Sequence, residues 1–345
     1  MKVLVVNCIV PFKWGESDEL ALHLEKNLKL AGYEAETLRI PYNWEPTSGI
    51  PAQMLMIKAF ELFNVDRVIA LEFPAYLIRH PHKTLWLVNY YRQAYDLYVV
   101  NPPSLQPGYG GDEMQQLIHS ANKYNFEEAK KIFTNSEITK KRLQDYYDYH
   151  LAEVLHPPLN DPELFCGGEN GGYIFAGGRV NQTNRQFLLI EALALVPTAK
   201  LIIAGRPDTV TDAELLHKLV EKYSLQDRVK LDLRLLSREE HANYVNQSTA
   251  VAYLPDDKGS FGYLLMEAAT AAKAIITCND NDGCLALIKN LETGWVCAPK
   301  PTTLAEAISS ACTNWGNAKN LGKSAQELWQ TMGVSWQKTI KRLMV

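Results

Sequence analysis

Ten short, nearly continuous apolar runs constrain this chain more than any other feature. They fall at 3–7, 67–71, 85–89, 131–134, 173–176, 200–204, 229–233, 250–254, 274–278 and 295–297. Amphipathic stretches lie between them, clearest at 18–31, 186–195, 211–223, 238–246 and 303–312. A strand exposed on one face alternates apolar and polar residues, whereas a strand buried on both faces does not. Short unalternating strands separated by helices therefore predict parallel sheets covered by helices on both sides, an α/β chain.

At 345 residues the chain is long for one core and comfortable for two domains. The segment Cys166-Gly-Gly-Glu-Asn-Gly-Gly172 is glycine-rich and polar, and a strand begins right after it. The expected division is 1–160 as an N-terminal domain, 161–172 as a linker and 173–325 as a C-terminal domain. Residues 326–345, with Trp329, Trp336 and Leu343, are expected to form a helix that packs back on the first domain.

Composition removes several classes of function. A net charge of −4 gives no electrostatic footprint for general nucleic-acid binding. No apolar run approaches the length of a membrane span and the first strand starts at once, so a cytoplasmic protein is expected. The six cysteines lack C-x-x-C spacing and read as buried reduced thiols, with no metal site. Basic residues such as Lys26, Lys29, Lys140, Lys141 and Arg142 face either solvent or the inner face of a membrane, and both readings stay open.

Four places can carry chemistry. In Ser260-Phe-Gly-Tyr-Leu-Leu-Met-Glu267 a glycine turn enters a helix, whose first amides and dipole suit a phosphate, while Glu267 can accept from sugar hydroxyls. Gly15 lies between the first strand and the first helix, where a ligand can approach the backbone; an ordinary turn glycine is the competing reading. Gly178 and Arg179 end a strand, with Arg185 six positions on, a pattern that can clamp a diphosphate or simply be solvated. The turn from Asp280 to Gly283 follows a buried strand, at the end where open α/β sheets bind ligands. No G-x-G-x-x-G is present, which counts against a nicotinamide oxidoreductase.

The order and spacing of these elements resemble the family 4 retaining glycosyltransferases (glycosyl transferases group 1). The resemblance runs through Phe133-Thr-Asn-Ser136, Leu155-His-Pro-Pro158, Gly178-Arg179, Phe261-Gly262 with Glu267, and Thr293-Gly294. It implies the GT-B fold, two Rossmann-like domains with parallel sheets facing a central cleft. It implies transfer of a hexose, with retention, from a nucleotide-diphosphate sugar to a glycan or lipid-linked acceptor, with no metal or other cofactor. Glu267 would then hold the donor ribose, and the amides of Gly262, Tyr263 and Leu264 after Phe261 would face the diphosphate. Arg179 would be the cationic clamp, Gly178 and Gly15 would border the phosphates, and Asp280 and Gly283 would line the transferred sugar.

The pattern is broken at four positions. Gly259 stands where the family has a glutamate eight residues before Glu267, and Asn184 where a lysine is usual. Asn89 replaces a histidine and Ala286 a glutamate. Arg185 standing in for the lysine, with Asn89 beside the reaction, is one account; a protein that keeps the fold and binds a sugar nucleotide or glycan with altered or lost transfer is the other. A sugar-nucleotide epimerase is a further rival. In the aromatic tract around Tyr90, Arg92 and Asp96 are the expected acceptor contacts.

Overall fold

The structure, a computed structural model, describes residues 1–12, 14–44, 46–89, 111–256 and 261–345, with Asn89 described by its backbone alone. It contains two compact units, Met1–Pro158 with Ser335–Val345, and Leu159–Val334.

The first unit holds β1 (Lys2–Ile9), α1 (Glu16–Leu30), β2 (Glu34–Pro41), α2 (Ile50–Lys58), β3 (Arg67–Glu72), β4 (Lys83–Asn89), α3 (Gly111–Glu128), β5 (Lys131–Thr134), α4 (Glu137–Tyr147) and β6 (Glu153–Val154). All six strands are parallel, in the order β2-β1-β3-β4-β5-β6. The order reverses between β1 and β3, the kind of switch point where doubly wound sheets open a crevice at the strand C-termini. Val3, Val5, Ile69 and Leu71 pack on one face with Leu24 and Leu28 of α1, and Val6, Val68 and Ala70 pack on the other with Ile118 and Phe126 of α3.

The second unit holds β7 (Ile174–Gly177), α5 (Gln186–Leu193), β8 (Leu201–Ala204), α6 (Val210–Lys222), β9 (Val229–Asp232), α7 (Arg238–Gln247), β10 (Ala250–Ala252), α8 (Tyr263–Thr270), β11 (Ala274–Cys278), α9 (Asp282–Leu285), β12 (Gly294–Cys297), α10 (Pro301–Thr313) and α11 (Trp315–Met332). Its strands are again all parallel, ordered β12-β11-β10-β7-β8-β9. That is the 3-2-1-4-5-6 order of a dinucleotide-type sheet, with its switch point between β7 and β10. Helices α5, α6 and α10 cover one face, and α7, α8 and α11 cover the other.

Each of the ten apolar runs is a strand. The reading missed β2 and β6, both next to or at a sheet edge. In β2 the sequence Glu-Ala-Glu-Thr-Leu-Arg-Ile-Pro mixes charge with alternation, and most of its residues are partly or fully exposed. β6 is two residues long.

Two boundaries shift. The segment expected as a free linker is packed into the second unit. Phe165 is buried, and the Asn246 side chain of α7 donates to the Leu164 carbonyl at 2.7 Å and accepts the Gly167 N–H at 3.1 Å. The expected single tail helix from 326 is two helices. α11 continues to Met332, held to the second unit by Ala325 and by Trp329 against Phe261, and Gly333 ends it at φ 61°. Helix α12 (Trp336–Leu343), capped by Ser335, then joins the first unit, where Ile340 and Leu343 pack and Trp336 lies 6.4 Å from Trp86.

Among the described residues, no helix is long and apolar enough to cross a membrane.

Candidate functional site

The end of β7 sits at the switch point of the second sheet. Gly178 follows it at φ +99°, and Gly205, after β8, is at φ +141°. A Cβ on Gly205 would lie 1.9 Å from the Gly178 carbonyl oxygen, so only glycine permits the two turns to touch. Arg179 extends from this corner with its side chain 64% exposed, 3.6 Å from Asp208. Its carbonyl accepts from Asn184 Nδ2 at 2.7 Å and Gln186 Nε2 at 2.8 Å. Asn184, where the family places a lysine, therefore braces the loop.

Arg185 is not the free cation expected of it. It is in the left-handed region at φ 52° and its side chain turns inward. Nη1 and Nη2 fork onto Asp280 at 2.6 and 2.9 Å, while Nε and Nη2 donate to the carbonyls of Leu254 and Pro255. Burial pushes its pKa down, but the Asp280 hydrogen bonds and charge prevail and raise it. The Asp280 carboxylate thereby ties the turn after β11 to the end of β10. Asn281, fully buried, joins the same corner by donating to the Pro255 carbonyl at 3.2 Å and capping α9 through the Cys284 N–H. Gly283 is buried inside that short helix, and Ala286 is exposed just beyond it.

Helix α8 begins at Gly262, and no side chain caps it. The amides of Gly262, Tyr263 and Leu264 lie at the positive end of its dipole. A Cβ on Gly262 would fall 2.1 Å from the Tyr253 hydroxyl, so the approach of β10's exit to α8 requires glycine. Phe261 and Leu264 are buried in the core, so these positions offer backbone rather than side chain to a ligand. Gly259 lies outside the described residues.

Glu267, one further turn along α8, is 2% exposed. Its Oε1 accepts from Arg238 Nη1 and its Oε2 from His241 Nε2 at 2.7 Å. Burial alone would raise its pKa; the charge and hydrogen bond of His241, then those of Arg238, outweigh burial and hold it at about 2. Arg238 also donates to the Asn160 carbonyl at 3.0 Å and stacks over the Phe165 ring. His241 touches the end of β7, since a Cβ on Gly177 would meet its Cε1 at 2.7 Å. Sequence reasoning missed both partners. Their three-residue spacing places them on one face of α7, a signal that reads as a solvated face until Glu267 is seen opposite.

In the first unit, Gly15 caps α1 in an extended conformation at φ −130°, and its N–H donates to Asp18 Oδ2 at 3.0 Å. The nearest atom to a Cβ placed there is 3.8 Å away, so space does not demand glycine. The Asn89 backbone ends β4 in register with Glu72. Arg92 and Asp96 lie outside the described residues. Among the described residues no group of three or more His, Cys, Asp or Glu side chains is arranged to hold a metal.

Residues 168–328 match the family model described as glycosyl transferases group 1. No curated protein sequence matches the chain. Among solved structures, sucrose-phosphate synthase from Thermosynechococcus elongatus superposes with a TM-score of 0.77 at 16% identity, covering 99% of this chain and 97% of that one. HepE from Anabaena, in complex with UDP and glucose, gives 0.71 at 14% identity over 99% and 98%. WaaG, a glycosyltransferase involved in lipopolysaccharide biosynthesis, gives 0.71 at 15% identity over 98% of each chain. The second unit thus resembles the glycosyl transferases group 1 over residues 168–328, and the fold of the whole chain is GT-B, as the sequence resemblance implied.

Proposed function

We propose that the protein, with a glycosyl transferases group 1 domain in residues 168–328, is a retaining glycosyltransferase that moves a hexose from a nucleotide-diphosphate sugar to a glycan or lipid-linked acceptor. The observation that carries this reading is the start of α8 at Gly262, which has no side chain to cap it, followed one turn later by the buried Glu267 carboxylate. Amides 262–264 suit the diphosphate, and Glu267, with lone pairs beyond those used by Arg238 and His241, suits the ribose hydroxyls. Arg179 supplies exposed positive charge near the same switch point. HepE has been captured with UDP and with UDP-glucose, so uridine nucleotides are the first donors to try.

The chemistry assigned to these groups is positioning and charge stabilisation. As the diphosphate leaves, negative charge develops where the α8 amides and Arg179 point, and fixed dipoles stabilise it without reorganising. On the retaining scheme the departing phosphate oxygen takes the acceptor proton on the same face. No metal or further cofactor is assigned a role. The acceptor is placed on the first unit, with Asn89, Arg92 and Asp96 proposed beside it. A cytoplasmic enzyme working at the inner membrane face, with Lys140 and Lys141 of α4 toward the bilayer, fits a lipid-linked acceptor.

A second reading has its own observation. Arg185 is neutralised by Asp280, so its charge is spent inside the fold. A site with Arg179 as its exposed arginine binds a sugar nucleotide but transfers slowly. Incubation with UDP-hexoses and a panel of oligosaccharide and polyprenyl acceptors separates the two readings. Acceptor-dependent UDP release, with a product anomeric proton coupling that matches the donor's, is the expected result. UDP binding without release under any acceptor supports the second reading, and an inverted product contradicts retention.

A further inference from the structure

The loop between β1 and α1 carries an aromatic ring that is exposed yet fixed. Trp14 is 51% exposed. Its Nε1 donates to Glu19 Oε1 at 2.9 Å, and the Arg39 guanidinium carbon lies 5.8 Å from its ring centroid. A hydrogen bond at the ring edge and a cation over the ring face together set the orientation of the indole. The ring thus stands at the C-terminal end of β1, beside the switch point of the first sheet, without the burial that usually holds a tryptophan.

Arg39 holds that ring with its polar groups unspent. It sits on β2 in register with Asn7 of β1. Both follow positions that face α1, since Val3, Val5 and Ala35 pack on that side. Among the described residues the Arg39 side chain makes no hydrogen bond or ion pair. Its Nε is buried without a partner, as are Asp18 Oδ1 and both amide atoms of Asn7. The carboxylates that feel its charge are engaged elsewhere. Asp18 Oδ2 accepts the Gly15 N–H at 3.0 Å, and Glu25 accepts from Lys29 Nζ at 2.6 Å and Thr37 Oγ1 at 2.5 Å. In the second unit the inward arginines spend their donors, Arg185 on Asp280 and Arg238 on Glu267. Arg39 keeps its own, beside polar atoms left unpaired at a cost to the fold.

We propose that Trp14 and Arg39 form a subsite for an acidic sugar of the acceptor: the indole stacks on the sugar ring and the guanidinium takes its phosphate or carboxylate. The assignment rests on the reading that the acceptor lies on the first unit, and it adds the chemical class of that acceptor. Each group suits one part of such a ligand. The apolar face of a pyranose covers an indole, and a planar fork of N–H donors matches the oxygens of a phosphate or carboxylate. A neutral sugar engages the ring alone and inorganic phosphate the cation alone. Preference for an acidic sugar therefore comes from Arg39, which binds the acceptor and takes no part in bond making.

The test titrates the 345-residue chain with glucose 6-phosphate, glucuronic acid, glucose and inorganic phosphate, followed through the Gly15 amide by ¹H–¹⁵N NMR. Wild type should bind glucose 6-phosphate or glucuronic acid at least about tenfold more tightly than glucose or inorganic phosphate. The tighter of the acidic probes tells a phosphorylated acceptor from a uronic one. Arg39→Gln should bring the acidic sugars down to the level of glucose, whereas Trp14→Ala should weaken acidic and neutral sugars alike. UDP affinity, measured by calorimetry, should change by less than about twofold in Arg39→Gln. Equal binding of acidic and neutral sugars by wild type, or an undiminished preference in Arg39→Gln, overturns the proposal. So does a loss of UDP affinity in Arg39→Gln as large as the loss of acidic-sugar binding, which makes Arg39 a donor cation. Failure of UDP to bind wild type contradicts the donor-site reading instead, and the sugar titrations still decide the subsite.

Discussion

The carboxylate of Glu267 is clasped by His241, whose Nε2 lies 2.7 Å from Oε2. This bond links the start of α8 to α7, and through His241's contact with Gly177 it reaches the end of β7. The end of β7, at the switch point, and helix α8, which heads the proposed donor site, are thus held by one buried acid.

Glu267→Gln removes the charge and keeps the shape. It leaves Arg238 and His241 facing a neutral amide, at a cost of about 2 kcal/mol to the second unit, since Arg238 is partly exposed and recovers some hydration. Urea unfolding of the variant should show that loss, together with weaker nucleotide binding. Unchanged stability contradicts the clasp as drawn.

The pH dependence of that stabilisation has a definite sign. Glu267 is held at about 2, below its ordinary 4.5, so its contribution is fully present above 4.5 and is lost as pH falls through 2. Acid unfolding of wild type should be steeper in this window than that of Glu267→Gln.

Glu72 behaves in the opposite sense. Raised from 4.5 to about 8, it gives the folded state an extra proton between those values, so its contribution is full below 4.5 and is lost as pH rises through 8. Glu72→Gln, which cannot ionise, should melt above wild type at pH 9 and close to it at pH 5, a relative gain of about 4 kcal/mol. An equal difference between the two proteins at both pH values contradicts a Glu72 carboxyl held protonated by burial.

The two arginines near the switch point of the second sheet should separate cleanly. Arg185→Ala strands Asp280 and two strand-end carbonyls and should cost about 3 kcal/mol of stability. Arg179→Ala removes an exposed side chain and should change stability by no more than about 0.5 kcal/mol while weakening UDP binding. Thermal melts and calorimetry of both variants check the contrast.

Gly262→Ala should disturb the proposed donor site from behind, because its Cβ collides with the Tyr253 hydroxyl. Overpacking of this kind costs about 1–3 kcal/mol and shifts the first amides of α8. The expected readout is UDP affinity reduced by about tenfold with the overall fold intact by circular dichroism.

Much of this architecture was legible in the sequence because central parallel strands are apolar on both faces. Val3, Ile69, Ile203 and Ile275 betray their strands without context. β2 escaped because edge positions tolerate charge, and Glu34, Glu36 and Arg39 blur its alternation. The glycine turn at 262 and the acid at 267 were readable as a local motif. The partners of that acid were not, because Arg238 and His241 lie in a different helix and meet it only through tertiary packing. The fate of Arg185 was hidden for the same reason: nothing near it in sequence announces Asp280.

Titration of the 345-residue chain with UDP and UDP-glucose, for wild type and Glu267→Gln side by side, tests the proposed donor site most directly. The account predicts micromolar binding by wild type and at least about tenfold weaker binding by Glu267→Gln. Absence of binding at millimolar nucleotide, or equal affinity in the two proteins, contradicts it.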